Sequence, residues 1–164
     1  MAVRSIVIER FSITTSVPFD TVVARIDAAV SHPDPKTFLA AVNAAPTLAA
    51  VESVVAEAFG ASEFMQFARI DLGAVLRKDH PGKAPRALRL MIGNPLVMRT
   101  MTLHAPDAGS YAPVTILVDE RPDGVHLSYD KVASLLAPYG NAEALAVARS
   151  LDEKVERLLT VAAG

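Results

Sequence analysis

Cysteine is absent from this chain of 164 residues. Its absence excludes a disulfide framework, a thiol nucleophile and a thiolate metal site, and it is compatible with a reducing compartment. Charge of one sign is not in excess, because sixteen basic residues face eighteen acidic ones and neither sign forms a long run. A nucleic-acid partner is therefore not expected.

Long apolar runs are missing as well. Glu9 and Arg10 interrupt the opening stretch MAVRSIVIERFS, where a signal peptide needs unbroken apolar character, and no run reaches membrane-spanning length. We therefore expect a cytoplasmic protein with no membrane partner. The eight glycines are dispersed and form no phosphate loop, dinucleotide fingerprint or Gly-x-Ser-x-Gly elbow, so no cofactor is expected.

Apolar residues make up 51% of the chain, which is enough to offset the conformational entropy lost on folding. A chain of this length can bury roughly 70% of the surface that it exposes when unfolded. We expect one domain over residues 1–164.

Hydrophobic periodicity and turn residues predict the order of the elements. In the first half they predict a strand within 5–14, a helix within 16–30 capped by Ser16 or Asp20, helices at 35–44 and 47–59 closed by Gly60, and a strand within 63–73. In the second half they predict a polar connection over 74–85, a strand at 86–93, a helix from Asn94 to His104, a β-hairpin, a helix stopped by Gly140 and a last helix capped by Asn141.

The hairpin is the clearest local pattern. Pro122 presets a turn between two β-rich runs, and Asp123-Gly124 supplies positive φ. Since all the later strands can pair antiparallel, the order of elements predicts an α+β fold. Its expected form is a mainly antiparallel sheet of about five strands with helices packed on one face. Arg69 and Asp71 share a strand face, where a cross-strand ion pair would explain them.

Four short motifs occur in the order in which one family carries them. They are FARID at 67–71, IGNP at 92–95, ILVDE at 116–120 and LSY at 127–129. With its helical tail, the chain resembles the DUF302 family. The resemblance implies a small α+β fold, often dimeric, with no established activity. Leu72 stands where members usually carry a His, and the helical stretch near 33–60 looks like an insertion relative to shorter members.

Five residues are candidates for ligand binding: Asn94, Arg99, His104, Tyr111 and Tyr129. Asn94 with Pro95 also has a structural explanation, as a strand exit and helix cap. Arg99 and His104 lie five apart, which is not the spacing of residues on one helix face. Tyr129 is either a core tyrosine with one hydrogen bond or a ligand contact, whereas loop residue Tyr111 is the better candidate for a pocket wall.

No metal site is expected from the histidines. The four of them, at 32, 80, 104 and 126, show neither HxH nor HExxH spacing. A metal could bind only where the fold brings distant ligands together.

Three functions remain open. The first is a dimeric, non-enzymatic module that binds a small apolar ligand, with segment 92–113 in the pocket wall. The second is an enzyme whose groups converge only in the fold, for instance Arg99, His104, Asp119 and Tyr129. The third is a dimeric adaptor that presents Leu151, Val155 and Leu158 of the last helix to a partner.

Overall fold

The computed structural model describes residues 3–60, 62–79, 82 and 84–164. Two 3-10 turns, Pro106–Tyr111 and Ala137–Tyr139, accompany its regular elements. The strands are β1 (Arg10–Thr15), β2 (Met65–Asp71), β3 (Ala87–Gly93), β4 (Val114–Arg121) and β5 (Gly124–Asp130). The helices are α1 (Phe19–Ala29), α2 (Pro35–Ala44), α3 (Leu48–Phe59), α4 (Gly73–Asp79), α5 (Pro95–His104), α6 (Val132–Leu136) and α7 (Ala142–Ala163).

The five strands form one antiparallel sheet in the order β1-β5-β4-β3-β2. The predicted hairpin joins β4 to β5, with Arg121 paired to Gly124 and a φ of 137° at that glycine. The α+β class and the five-stranded antiparallel sheet are confirmed.

The two faces of the sheet differ in burial. On one face Leu90, Ile116 and Leu127 are fully buried, in the same cluster as Val22 of α1 and Val155 of α7. Helices α1, α5 and α7 contribute to this core, as the alternating pattern of the strands predicts. We call the opposite face the open face; across its centre it carries Arg89, Met91, Thr115, Leu117, Ser128 and Asp130, none of them buried.

Helix α7 is the central packing element, since it contacts α1, α5, α6 and strands β1 and β5. Asn141 caps it, and its side chain accepts the Ala144 N–H at 2.9 Å. Leu151 and Val155 of the predicted stripe are buried, whereas Leu158 is half-buried. Little of this stripe is left to present to a partner.

Helices α2 and α3 fill the segment near 33–60 almost as predicted. The Asp34 carboxylate accepts the Thr37 N–H at 2.8 Å and so caps α2, while Thr47 caps α3 and Gly60 ends it. The pair encloses a second small core, in which Phe38 and Phe59 pack with Met65. Met65 lies opposite Gly93, so this corner of the open face is covered by helices. The status of the segment as an insertion stays a prediction.

The connection predicted over 74–85 is wrong for its first half, where the chain forms α4. The Asp71 carboxylate accepts the Ala74 N–H at 3.0 Å and pairs with Arg77 at 2.6 Å, so it caps a helix that the polar composition concealed. Residues 80, 81 and 83 of that connection lie outside the described residues.

Strands β1 and β2 differ from the predicted alternation. Pairing of β1 begins only at Arg10, because Arg10 lies opposite Asp130, the last residue of β5. Residues 5–9 therefore lie beyond the end of β5. In β2 a register shift between Gln66 and Ala68 leaves Phe67 as a bulge. The cross-strand ion pair expected for Arg69 and Asp71 is also wrong. Arg69 forms an ion pair with Asp27 of α1 at 2.7 Å, and Asp71 forms one with Arg77 of α4.

In the described part of the chain, no helix combines the length and the apolar character needed to cross a bilayer.

Candidate functional site

An apolar pocket lies where helix α2 meets the end of strand β3 and the start of α5. Its volume is about 190 Å³. Helix α2 supplies one wall, the β2 bulge the second, and the strand exit with α5 the third. The lining residues are Phe38, Leu39, Val42, Phe67, Gly93, Asn94, Pro95, Met98, Ala112 and Pro113, all apolar except Asn94.

Asn94 contributes to the pocket mainly through structure. Its Oδ1 accepts the Leu96 N–H at 2.9 Å, which caps α5, and its Nδ2 donates to the Glu63 carbonyl at 3.3 Å. Pro95 follows as the first helical residue. Because the backbone engages both ends of the Asn94 amide, the surroundings of a ligand in this pocket are apolar.

Gly93 allows two pocket walls to approach each other closely. A Cβ at this position would lie 3.2 Å from the Pro113 Cβ and 3.4 Å from the Phe67 Cε2. Pro113 follows a cis peptide bond with Ala112. Because Gly93 has no side chain, the Phe67 bulge and Pro113 can approach each other closely in the pocket wall.

A second depression, which we call the polar groove, runs along the open face. Its volume is about 330 Å³. Pro113 lines both the polar groove and the apolar pocket. The sheet contributes Arg10, Arg89, Thr115, Leu117, Ser128 and Asp130, and Ser110, Tyr111 and Leu135 flank one end.

Tyr111 is held at the flank of the polar groove by a second tyrosine. The Tyr111 and Tyr139 hydroxyls lie 2.9 Å apart, and the rings meet edge to face. The Arg4 guanidinium covers the Tyr139 ring at 4.6 Å from its centroid. The hydrogen bond to Tyr139, with burial, raises the pKa of Tyr111 to about 12. This phenol is therefore neutral and poorly suited to act as a base near neutral pH.

Tyr129 points into the core. Its hydroxyl donates to the Asp152 carboxylate at 2.6 Å, and the same carboxylate accepts the N–H groups of Val132 at 2.8 Å and Ala133 at 3.0 Å. Burial raises the pKa of the Asp152 carboxyl, against the opposing effect of these three hydrogen bonds. Burial and the neighbouring carboxylate also raise the pKa of Tyr129. Asp152 thus caps helix α6 from helix α7.

The structure does not bring the five predicted site residues to one place. Asn94 lines the apolar pocket, and Tyr111 lines the polar groove. Tyr129 borders the groove but its hydroxyl binds Asp152 in the core. Arg99 and His104 are exposed on α5, and their side chains form no hydrogen bond or ion pair with the residues that the structure describes.

Sequence reasoning missed three groups of site residues. The α2 wall, with Phe38 and Leu39, lies in the helical stretch near 33–60, which the sequence indicates only as an insertion. The place of Phe67 in the pocket wall depends on the β-bulge in β2, which the sequence pattern does not predict. Arg89 offered one clue, since it is a lone charge in an otherwise apolar strand.

The enzyme hypothesis gives Arg99, His104, Asp119 and Tyr129 as one example of ionisable groups that converge only in the fold. Asp119 instead pairs with Arg121 at 2.5 Å, and no hydrogen bond in the described structure joins two of the four. The same part of the chain holds no cluster of three His, Asp or Glu side chains arranged for a metal. His80 lies outside it.

Comparison with known proteins bears on family and fold. The family model described as "Domain of unknown function DUF302" matches residues 40–162. The fold is similar to the crystal structure of an uncharacterized conserved DUF302 protein from Bacillus stearothermophilus, with 10% identity, a TM-score of 0.60 and 94% of each chain covered. No curated protein matches the chain. Since the family match spans more than half of its residues, this chain belongs to the DUF302 family.

Proposed function

We propose that this protein is a small-molecule-binding module and that its ligand is an apolar molecule held in the pocket between α2 and α5. The observation that supports the proposal is the composition of the pocket wall. Every lining residue except Asn94 is apolar, and the backbone engages the Asn94 amide. A site of this kind gains affinity by removing apolar surface from water.

The pocket volume indicates the size of the ligand. An apolar cavity of about 150 Å³ is large enough to hold benzene. At about 190 Å³ the pocket here fits one substituted aromatic ring or a short branched aliphatic chain. Phe38 and Phe67 offer ring faces and edges to such a ligand, and Met98 offers an adaptable thioether.

Binding of toluene, followed by protein NMR, tests the proposal with a matched pair of variants. Leu39 lies on the pocket wall with 49% of its surface exposed. Leu103 lies on α5, in neither the apolar pocket nor the polar groove, with 65% exposed. Leu39→Arg places a charge at the pocket and should weaken toluene binding about tenfold or more, which is 1.4 kcal/mol or more. Leu103→Arg should leave binding unchanged. Equal affinities for the two variants would refute the assignment of the pocket.

We also infer that the protein is a homodimer and that it works in the cytoplasm. Four large apolar residues are exposed together where edge strand β2 leads into α4: Ile70, Leu72, Val75 and Leu76. Large exposed apolar residues this close together in the chain favour an interaction site, and the lack of cysteine suits a reducing compartment.

Light scattering during size-exclusion chromatography tests the dimer. Val75→Lys changes a residue that is 71% exposed in this patch, and Val161→Lys changes one that is 67% exposed on α7. The first variant should be a monomer and the second a dimer. A monomeric wild-type protein would remove the dimer from the proposal without affecting the pocket.

A further inference from the structure

We propose that the polar groove on the open face is a second binding site, separate from the apolar pocket, and that it takes a small organic monocarboxylate held by Arg89. Arg89 lies on β3, and the groove extends from it across β4 and β5 to Arg10 on β1.

The sheet register aligns the polar groups. Arg89 lies opposite Leu117, and Leu117 lies opposite Ser128, so these three residues form one row across three strands. Beside this row, Asp130 lies opposite Arg10. Paired residues of an antiparallel sheet share a face, and neighbouring strands lie about 4.8 Å apart. A ligand of ring size on the groove floor therefore reaches side chains from two or three strands.

Arg89 is the groove cation without a carboxylate partner in the described structure. The Arg10 guanidinium forms two hydrogen bonds to Asp130, at 2.6 and 2.9 Å. The Arg89 side chain makes only a long contact of 3.5 Å with the Thr115 hydroxyl among the described residues. The Arg89 guanidinium presents paired N–H donors in one plane, and these donors match the two oxygens of a carboxylate.

Charge and shape narrow the class of ligand. Two guanidinium groups and one Asp130 carboxylate give the groove a net charge of about +1 at neutral pH. A monoanion balances this charge, whereas a dianion exceeds it. Leu117 and Pro113 provide apolar surface beside the guanidinium, and Leu135 provides more at the flank. A carboxylate with an apolar body, such as an aromatic acid, can bind Arg89 through its charge and contact Leu117 and Pro113 through its apolar part.

Titration with sodium benzoate, monitored by amide NMR shifts, tests this site. The wild-type protein should show saturable shifts in β3, β4 and β5. Arg89→Gln should weaken benzoate binding about tenfold or more. Arg89→Lys should weaken it to a smaller extent, because the positive charge remains although the paired guanidinium donors are lost. The control is Arg157→Gln, which changes an exposed arginine on α7 outside the groove and should bind like wild type.

Two results would overturn the proposal: unchanged benzoate affinity in Arg89→Gln, or no saturable shifts in the wild-type protein. Tighter binding of inorganic phosphate than of benzoate would also contradict the monocarboxylate class. Folding is checked independently, since Arg89→Gln should keep its thermal midpoint and bind toluene normally. Conversely, Leu39→Arg should bind benzoate normally, so the two sites can fail separately.

Discussion

The Tyr129 hydroxyl donates a hydrogen bond of 2.6 Å to the buried carboxylate of Asp152. This contact joins the last strand to the last helix, and the same carboxylate caps α6 through the N–H groups of Val132 and Ala133. Three elements of the core therefore depend on one acidic side chain that is only 2% exposed.

Removal of this carboxylate should destabilise the fold strongly. Asp152→Ala leaves a hydroxyl and two backbone N–H groups without their acceptor, and each buried unsatisfied group costs roughly 1–3 kcal/mol. We expect a loss of about 3 kcal/mol or more in the free energy of unfolding, measured by urea denaturation. The control, Glu153→Ala, changes the exposed neighbour on the same helix and should cost little. Similar losses for the two variants would contradict the capping role.

The cap of α2 should titrate in acid. Hydrogen bonds from the hydroxyl and N–H of Thr37 lower the pKa of Asp34 below its ordinary value of 3.8. A lowered folded pKa contributes stability that is present above the unfolded pKa and is lost as pH falls through the folded one. Asp34→Asn keeps a capping oxygen but does not titrate. The stability advantage of wild type over this variant should therefore shrink below about pH 4 in acid titrations of unfolding. If the stability advantage of wild type grew as the pH fell, it would contradict a lowered pKa for Asp34 in the folded protein.

Tyr139 should control the ionisation of Tyr111. Its hydrogen bond is the largest cause that raises the Tyr111 pKa to about 12. Tyr139→Phe should lower the Tyr111 pKa toward its ordinary value of 10, and ring-carbon NMR of labelled tyrosine measures the change. Tyr111 is assigned by its loss in Tyr111→Phe. An unchanged Tyr111 pKa in Tyr139→Phe would show that the hydroxyl contact does not persist in solution.

A methyl group at Gly93 should disturb the pocket. It would approach Pro113 and Phe67 to 3.2 and 3.4 Å, which forces the two walls apart or the new group into the pocket. We expect Gly93→Ala to weaken toluene binding and to cost about 1 kcal/mol in unfolding free energy. At Gly109 the nearest atom is the Thr102 methyl at an ordinary 3.5 Å, so Gly109→Ala serves as the matched control and should change neither quantity through packing.

Local chemistry explains which elements could be predicted from the sequence. Asn94 and Asn141 cap their helices within three residues, and Gly140 ends a 3-10 turn in the left-handed region. Such features depend on neighbours in the chain, so the pattern of residues is sufficient to identify them. Asp71 is the exception, because a strand pattern that continues up to it concealed its second role as the cap of α4.

The candidate sites depend on distant contacts and could be predicted only in part. The sequence predicts segment 92–113 in a pocket wall, and Gly93, Asn94 and Pro113 line the apolar pocket. The opposite wall comes from Phe38, more than fifty residues earlier, and no local pattern gives that pairing. Asp152 was hidden for a related reason: an aspartate in a helical stripe looks solvated until Tyr129 is placed beside it.

A crystal structure under xenon pressure would test the central proposal most directly, since xenon enters apolar cavities that water leaves empty. We predict xenon density between Phe38 and Met98, beside Phe67 and Pro113, and no density there in Leu39→Arg crystals of the same form. A wild-type pocket that holds ordered water and no xenon would contradict the proposal that this site binds an apolar molecule.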